Sequence, residues 1–264
     1  MVTIGFSLGE LNVSSYLYYV LMKMRKWEDL LDPDERPKLR KRMIEASVRS
    51  LKMQADVICQ RTRRTLHIIE QVYRHTGYEA ITFEARLEER GLFGASQPFG
   101  IIPFEVGLEF DPYLNTPIVP GSSVKGAVRS TWRSLFGEDE KEAENYVFGS
   151  TKRSGACIFH DGYPIEAGRN GYLLYPDVLT PHYMKEGRDI LKENEAKPSP
   201  VVYLTVAPET VFKFVIAMPK DDGRRLRDMF RKAVLEALRL GIGGKTSIGY
   251  GRFSLRSLRM EVSK

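Results

Sequence analysis

Two segments of this chain collect residue types that hold phosphate. In residues 120–133, PGSSVKGAVRSTWR, a proline-glycine turn leads into helical spacing of Val124, Val128, Thr131 and Trp132. Ser122 and Ser123 fall at the helix start, where hydroxyls cap free N–H groups and the helix dipole favours an anion. Lys125, Arg129 and Arg133 follow at intervals of four and project from one face. Gly126 would let a phosphodiester backbone approach closely. The second segment, GIGGKTSIGYGRF from 241 to 253, offers backbone freedom at Gly243 and Gly244 and at Gly241, Gly249 and Gly251. Lys245, Thr246, Ser247 and Arg252 supply donors, and main-chain N–H groups of such a loop can wrap an anion. Tyr250 could stack on a base. Taken locally, each segment also reads as a plain capped helix or as a turn with a packed aromatic.

Catalysis is poorly provided for. Gly244-Lys245-Thr246 resembles the end of a phosphate-binding P-loop, but Arg239 stands where the first glycine belongs. The segment also follows a helix and precedes a strand, the reverse of P-loop order. No CxxC or HExxH spacing occurs, so neither a metal nor another cofactor is expected. Metal-independent RNA cleavage needs a general acid and base, and of His67, His75, His160 and His182 only His182, in Thr-Pro-His-Tyr, is placed for it. Its alternative is a histidine bonded in a structural turn. Glu84, Glu88, Glu105 and Glu109 alternate as on solvated strands, and Asp111 before Pro112 reads as a turn residue.

The elements that must position these segments follow from periodicity. Helical spacing runs from about Glu10 to Leu31 and again from about Pro37 to Thr76, where Gly77 ends it. The second helix carries Arg36, Lys38, Arg40, Lys41, Arg42, Arg49, Lys52, Arg61, Arg63, Arg64 and Arg74. That is a basic rail or an ordinary solvated face. Alternation predicts strands at 80–88 and 104–110, short strands at 156–160, 172–175 and 201–206, and a strong one at 211–218. The polar stretch 185–199 reads as a mobile loop. Asp221 and Asp222 would cap a helix running to Gly241, and residues 252–262 form a last strand. The order is that of an α+β, ferredoxin-like (RRM-like) domain with insertions at 78–264, preceded by a helical N-terminal region at 1–77.

The bulk properties are compatible with this. Forty Lys and Arg against 34 Asp and Glu leave a charge of +6, a mild lean toward an anionic partner. Cys59 and Cys157 lie in different elements, which argues for buried thiols and a reduced cytoplasmic setting rather than a disulfide framework. No signal-peptide pattern or membrane-length apolar run is seen.

With PGSSVKGAVRS ahead of GIGGKTSIGYGRF, and YPDVLTPHY (175–183) and PSPVVYLTVAPETVFKF (198–214) between them, the sequence resembles the RAMP superfamily of CRISPR-associated proteins. Within it, the likeness is to the sixth-subunit family of the type III-B (Cmr) effector. It spans roughly residues 80–260. The resemblance implies a non-catalytic, ferredoxin-like scaffold that helps hold guide RNA, or its duplex with target RNA, among neighbouring Cmr-type subunits in antiviral defence. The positions matching RNA-facing motifs are Ser122, Ser123, Lys125 and Arg129, with 243–252 as the glycine-rich loop. Two other roles remain open at this point: a guide-processing endoribonuclease, and a protein–protein adaptor whose basic surface meets acidic neighbours.

Overall fold

Alternation of apolar and polar side chains makes Tyr78–Leu87 (β1) the centre of an antiparallel sheet. The computed structural model describes residues 9–23, 35–94, 106–179, 184–185, 188–189, 201–220 and 222–260. Val211–Pro219 (β6) pairs with one edge of β1 and Phe253–Met260 (β7) with the other. Ile158–Phe159 (β2) and Tyr163–Glu166 (β3) both add to the far side of β6. Between β1 and β2 runs the helix Gly121–Phe136 (α3), and between β6 and β7 the helix Arg224–Leu240 (α5). The sequence of elements is therefore β-α-β-β-α-β in spatial order β7-β1-β6-β2, the ferredoxin-like arrangement expected from the sequence.

The register puts Ile81 opposite Ile216 and Phe83 opposite Phe214, and the two Phe rings stack at 4.8 Å. Both helices cover this face. α3 buries Val124, Val128, Thr131 and Trp132; α5 buries Met229, Phe230, Ala233, Val234, Ala237 and Leu238. Each set repeats every three or four residues, which is one face of a helix. Small Ala233 and Ala237 let the helices approach, and the Thr131 hydroxyl donates to the Ala233 carbonyl at 2.9 Å. The short helix Lys141–Phe148 (α4) closes the end of α3, with Phe148 against Trp132.

The opposite sheet face is covered too. Glu35–Arg74 (α2) lays Leu66 and Ile69 over Val211, Val215 and Ile165. Thr62 donates to the Pro164 carbonyl, Arg63 to that of Ile165 at 3.0 Å, and Lys213 pairs with Glu70 at 2.5 Å. In RRM domains the open sheet face stacks bases on aromatic side chains. Here a helix occupies that face, which is closed to such stacking. The amino-terminal half of α2 packs on Val13–Lys23 (α1), and Met43, Leu51 and Ile58 join the same core as Phe83 and Trp132. Asn115 ties the N-terminal segment to the body: its Oδ1 accepts from Val13 N at 2.8 Å and its Nδ2 donates to Leu11 O at 3.1 Å. The boundary drawn at residue 77 thus separates chain segments that share one core.

Leu174–Leu179 (β4) and Val201–Val206 (β5) pair as an inserted hairpin between β3 and β6. Three expectations need correction. The strand placed at 104–110 extends in its described part only to Phe110–Asp111, paired with Thr116–Pro117, because Glu109 N–H turns aside to Phe93 O. α5 is capped by the backbone of Gly223, not by Asp222, whose Oδ1 instead accepts from Tyr146 at 2.8 Å. The first helix starts at Val13 rather than Glu10 and is described to Lys23, and residues 24–31 of the predicted span lie outside the described residues.

Candidate nucleic-acid interface

The two segments expected to hold phosphate, about 120 residues apart in sequence, meet in space. Because α3 and α5 lie side by side in opposite directions, the start of α3 adjoins the loop that leaves α5. An open groove between them is lined by Ser123, Gly126 and Ala127 on one bank and Gly241, Gly243, Gly244 and Thr246 on the other, with Gly94 contributing. Nearly every lining residue is glycine or a small residue. A polymer backbone could therefore come against main chain with little side-chain obstruction. A Cβ placed on Gly126 would meet nothing within 4 Å. Lys125 is half-buried and does not line the groove, while Ser122, Ser247 and Arg252 are exposed.

The α3 start differs from the expected cap. Pro120 precedes the helix and no side chain of Ser122 or Ser123 caps it. Instead the carboxylate of Asp161, from the β2–β3 turn, accepts from Gly121 N–H at 2.7 Å. An anion already sits at the helix dipole, so the serines are left as exposed or half-exposed hydroxyls.

Arg129 is also reassigned. Its Nε donates at 2.6 Å to Oε1 of Glu144 on α4, which Arg133 and Lys141 contact as well. Glu144 is 1% exposed. Burial alone would raise its pKa, but hydrogen bonds from Arg133, Arg129 and Lys141 prevail and hold it at about 2. The basic stripe on α3 is thus partly an internal clamp between α3 and α4. Its stability contribution is full above the unfolded carboxylate pKa of 4.5 and is lost as pH falls toward 2. In acid titration of urea stability, the gap between wild type and Glu144→Gln is expected to be constant above about pH 5 and to narrow below it. A gap that widened on acidification would sink this assignment.

The glycine-rich loop is built against residues 90–93. Gly244 N–H donates to Leu92 O at 2.8 Å, Gly251 N–H to Arg90 O at 2.9 Å, and Ile242 N–H to Gly251 O at 2.9 Å. These three amides are committed to protein rather than available to an anion. Lys245 has φ of 61°, and its ammonium reaches the hydroxyl of Tyr203 on β5, lying 4.7 Å from that ring. Tyr250 is half-buried, and its hydroxyl donates at 2.6 Å to Oδ2 of Asp177 on β4. Tyr203 donates to the same oxygen at 2.7 Å, and Arg90 to Oδ1 at 3.0 Å. Burial works to raise the Asp177 pKa, but hydrogen bonds from Tyr250, Tyr203 and Val178 N–H, with the Arg90 charge, lower it overall.

Sequence comparison agrees with this architecture. The RAMP superfamily pattern matches residues 68–254. The Cmr6 subunit of the CMR system of Saccharolobus solfataricus is 30% identical over 246 residues, 92% of this chain and 81% of that protein. The chain belongs to the RAMP superfamily, in the Cmr6 family. A Streptococcus thermophilus CRISPR protein named as the endoribonuclease Csm3 is 25% identical over 207 residues, 69% of this chain and 90% of its own length. A chain in a type III-B Cmr-β assembly bound to cognate target RNA has the same fold, with TM-score 0.77 and 24% identity over 97% of this chain and 95% of its own.

For this Cmr6-family chain, sequence reasoning missed Asp177, Tyr203, Arg90 and Asp161, the residues that shape the groove without lining it. The signal for Asp177 was present in the YPDVL stretch: a lone carboxylate inside a strand wants buried donors. Nothing local marked Asp161. His160 is spoken for: its Nε2 lies 2.7 Å from the Tyr73 hydroxyl, and burial lowers its pKa. His67 lies 3.4 Å from Gln71 on α2, and His182 lies outside the described residues. Cys59 and Cys157 are buried free thiols, their pKa values raised by burial to about 11 and about 12. Among the described residues no helix is long and apolar enough to cross a membrane, and no group of three His, Cys, Asp or Glu side chains could hold a metal.

Proposed function

We propose that this chain is a non-catalytic RNA-binding subunit of a type III-B CRISPR effector complex. It holds guide RNA, or the guide–target duplex, across the groove between the α3 start and the glycine-rich loop, among neighbouring Cmr-type subunits. The observation that carries the reading is the convergence of the two segments on one channel of glycine, alanine, serine and threonine. Such walls hold no catalytic acid or base, but they let a backbone lie close. Ser123 and Thr246 offer hydroxyls. Kinship with Cmr6, and with a chain found in an RNA-bound Cmr-β assembly, supports both the RNA and the subunit partners. Contacts of this kind position RNA without reading its sequence.

Gly126→Glu tests the groove directly. In the reconstituted particle it is expected to weaken RNA binding about five- to ten-fold, since like charges about 4 Å apart repel by about 1 kcal/mol even in bulk water. The same change is expected to leave Tm unchanged or raise it, because replacing a mid-helix glycine favours the helix by up to about 1 kcal/mol. Opposite signs for binding and stability separate contact loss from misfolding. Unaltered RNA affinity and salt slope would end the groove assignment. Repeat-RNA cleavage by the purified particle that vanished in His182→Ala would replace holding with processing.

A further inference from the structure

The outer face of α2 carries a row of side chains that the fold does not use. Met53 is 64% exposed, Val57 49%, Ile68 56% and Val72 56%. Their separations of 4, 11 and 4 residues keep them on one face of a helix, along roughly 29 Å at 1.5 Å per residue. Arg64 lies on the same face between Val57 and Ile68, with Arg61 beside it and Arg49 one turn before Met53. All three arginines are exposed, and none pairs with a carboxylate among the described residues. The inner face is fully engaged by contrast: Leu51, Ile58 and Leu66 are buried, Thr62 and Arg63 bond to β3 carbonyls, and Glu70 meets Lys213. The stripe is consequently held on a rigid support.

We infer that this stripe docks a neighbouring protein that presents an apolar ridge flanked by carboxylates. The mixture of groups selects that chemistry. Exposed methionine, valine and isoleucine recover free energy only by leaving water against another apolar surface, and four at helical spacing match a helix-in-groove or helix-on-helix contact. Phosphate gains nothing from aliphatic tips, and the stripe has no aromatic ring on which a base could stack. A second copy of this chain would bring Arg49, Arg61 and Arg64 against their equivalents, with Glu45 and Asp56 the exposed carboxylates on that stretch of α2. Unpaired arginines rimming an apolar centre call for acidic partners, which set orientation and encounter rate. The inference rests on the multi-subunit reading above, and it assigns protein docking to α2 and RNA holding to the α3–loop groove.

The test uses the full chain co-expressed with type III-B subunits and analysed by native mass spectrometry. Val57→Asp with Ile68→Asp is expected to reduce incorporation into the particle roughly ten-fold or more, because a desolvated charge is costly in an apolar contact. Since both side chains are exposed, Tm of the isolated variant should match wild type; a variant that unfolds is replaced by Arg64→Glu, which is expected to weaken incorporation with a steeper salt dependence. Gly126→Glu is expected to enter the particle normally while binding RNA about five- to ten-fold more weakly. A photo-crosslinker at position 68 should join α2 to a protein neighbour. Full incorporation of the double aspartate variant, crosslinks from position 68 to RNA, or crosslinks to a second copy of this chain would each overturn the inference and leave the RNA-holding proposal standing. Failure of wild type to assemble at all would instead overturn the subunit reading itself.

Discussion

Asp177→Ala is expected to destabilise the protein by about 3–5 kcal/mol, the range for removing one partner of a buried charged pair. Asp177 is 11% exposed on the inserted β4–β5 hairpin, and its two oxygens receive Arg90, Tyr203 and Tyr250. Truncation leaves the hydroxyl of Tyr203, a fully buried residue, and the Arg90 guanidinium without their acceptor. It also frees Tyr250 and removes the charge that orients the Tyr203 hydroxyl under Lys245. Because Tyr250 and Lys245 belong to the glycine-rich loop, the bank of the groove should loosen along with the hairpin. Urea denaturation reads the first effect, and proteolysis within 241–252 under native conditions reads the second. Asp177→Asn keeps the shape and one acceptor but turns an NH2 group toward Arg90, so an intermediate loss of about 1–3 kcal/mol is expected. A cost below about 1 kcal/mol for Asp177→Ala would mean that the network is incidental.

Gly251→Ala is the second large effect. Gly251 has φ of 67°, and a Cβ there would lie 2.0 Å from the Ile242 carbonyl oxygen, an approach backbone atoms cannot relieve locally. The conformation alone costs an L-residue about 1–3 kcal/mol, and the clash adds to it. Gly249→Ala provides the control: its φ is 97°, but a Cβ would meet nothing within 4 Å. It should therefore show the backbone cost without the clash. Thermal unfolding of the pair separates these terms, and RNA binding should fall more for Gly251→Ala, because Ile242 and Gly251 hydrogen-bond across the neck of the loop. Equal Tm losses for the two variants would place the whole effect in φ and remove the close-approach argument.

Much of the fold was legible in the residues. The alternation in β1 and β6 and the buried faces of α3 and α5 follow from side-chain periodicity, and Gly137 and Gly241 do end their helices at positive φ. Capping was less legible, because a serine or aspartate near a helix start competes with carboxylates from distant segments. Asp161 displaces Ser122 and Ser123 at α3, and Tyr146 draws Asp222 away from α5. The site residues divide similarly. Ser123, Gly243, Gly244 and Thr246 do line a groove, whereas Arg129, Lys245 and Tyr250 turn inward to Glu144, Tyr203 and Asp177. A cation reads the same in sequence whether its partner is solvent, phosphate, a buried carboxylate 15 residues away or a tyrosine hydroxyl 42 residues away.

By itself the sequence determined the element order and the two small-residue segments with their cations, since these depend on residue type and short spacing. Tertiary structure alone decided that the two segments face each other, that α2 closes the sheet face an RRM would leave open, and which charges remain unpaired at the surface. Those outcomes depend on antiparallel packing of α3 on α5 and on long-range pairing between α2 and the sheet. Pairing across a hundred residues is selected by shape and burial over the whole core, and no local pattern encodes it.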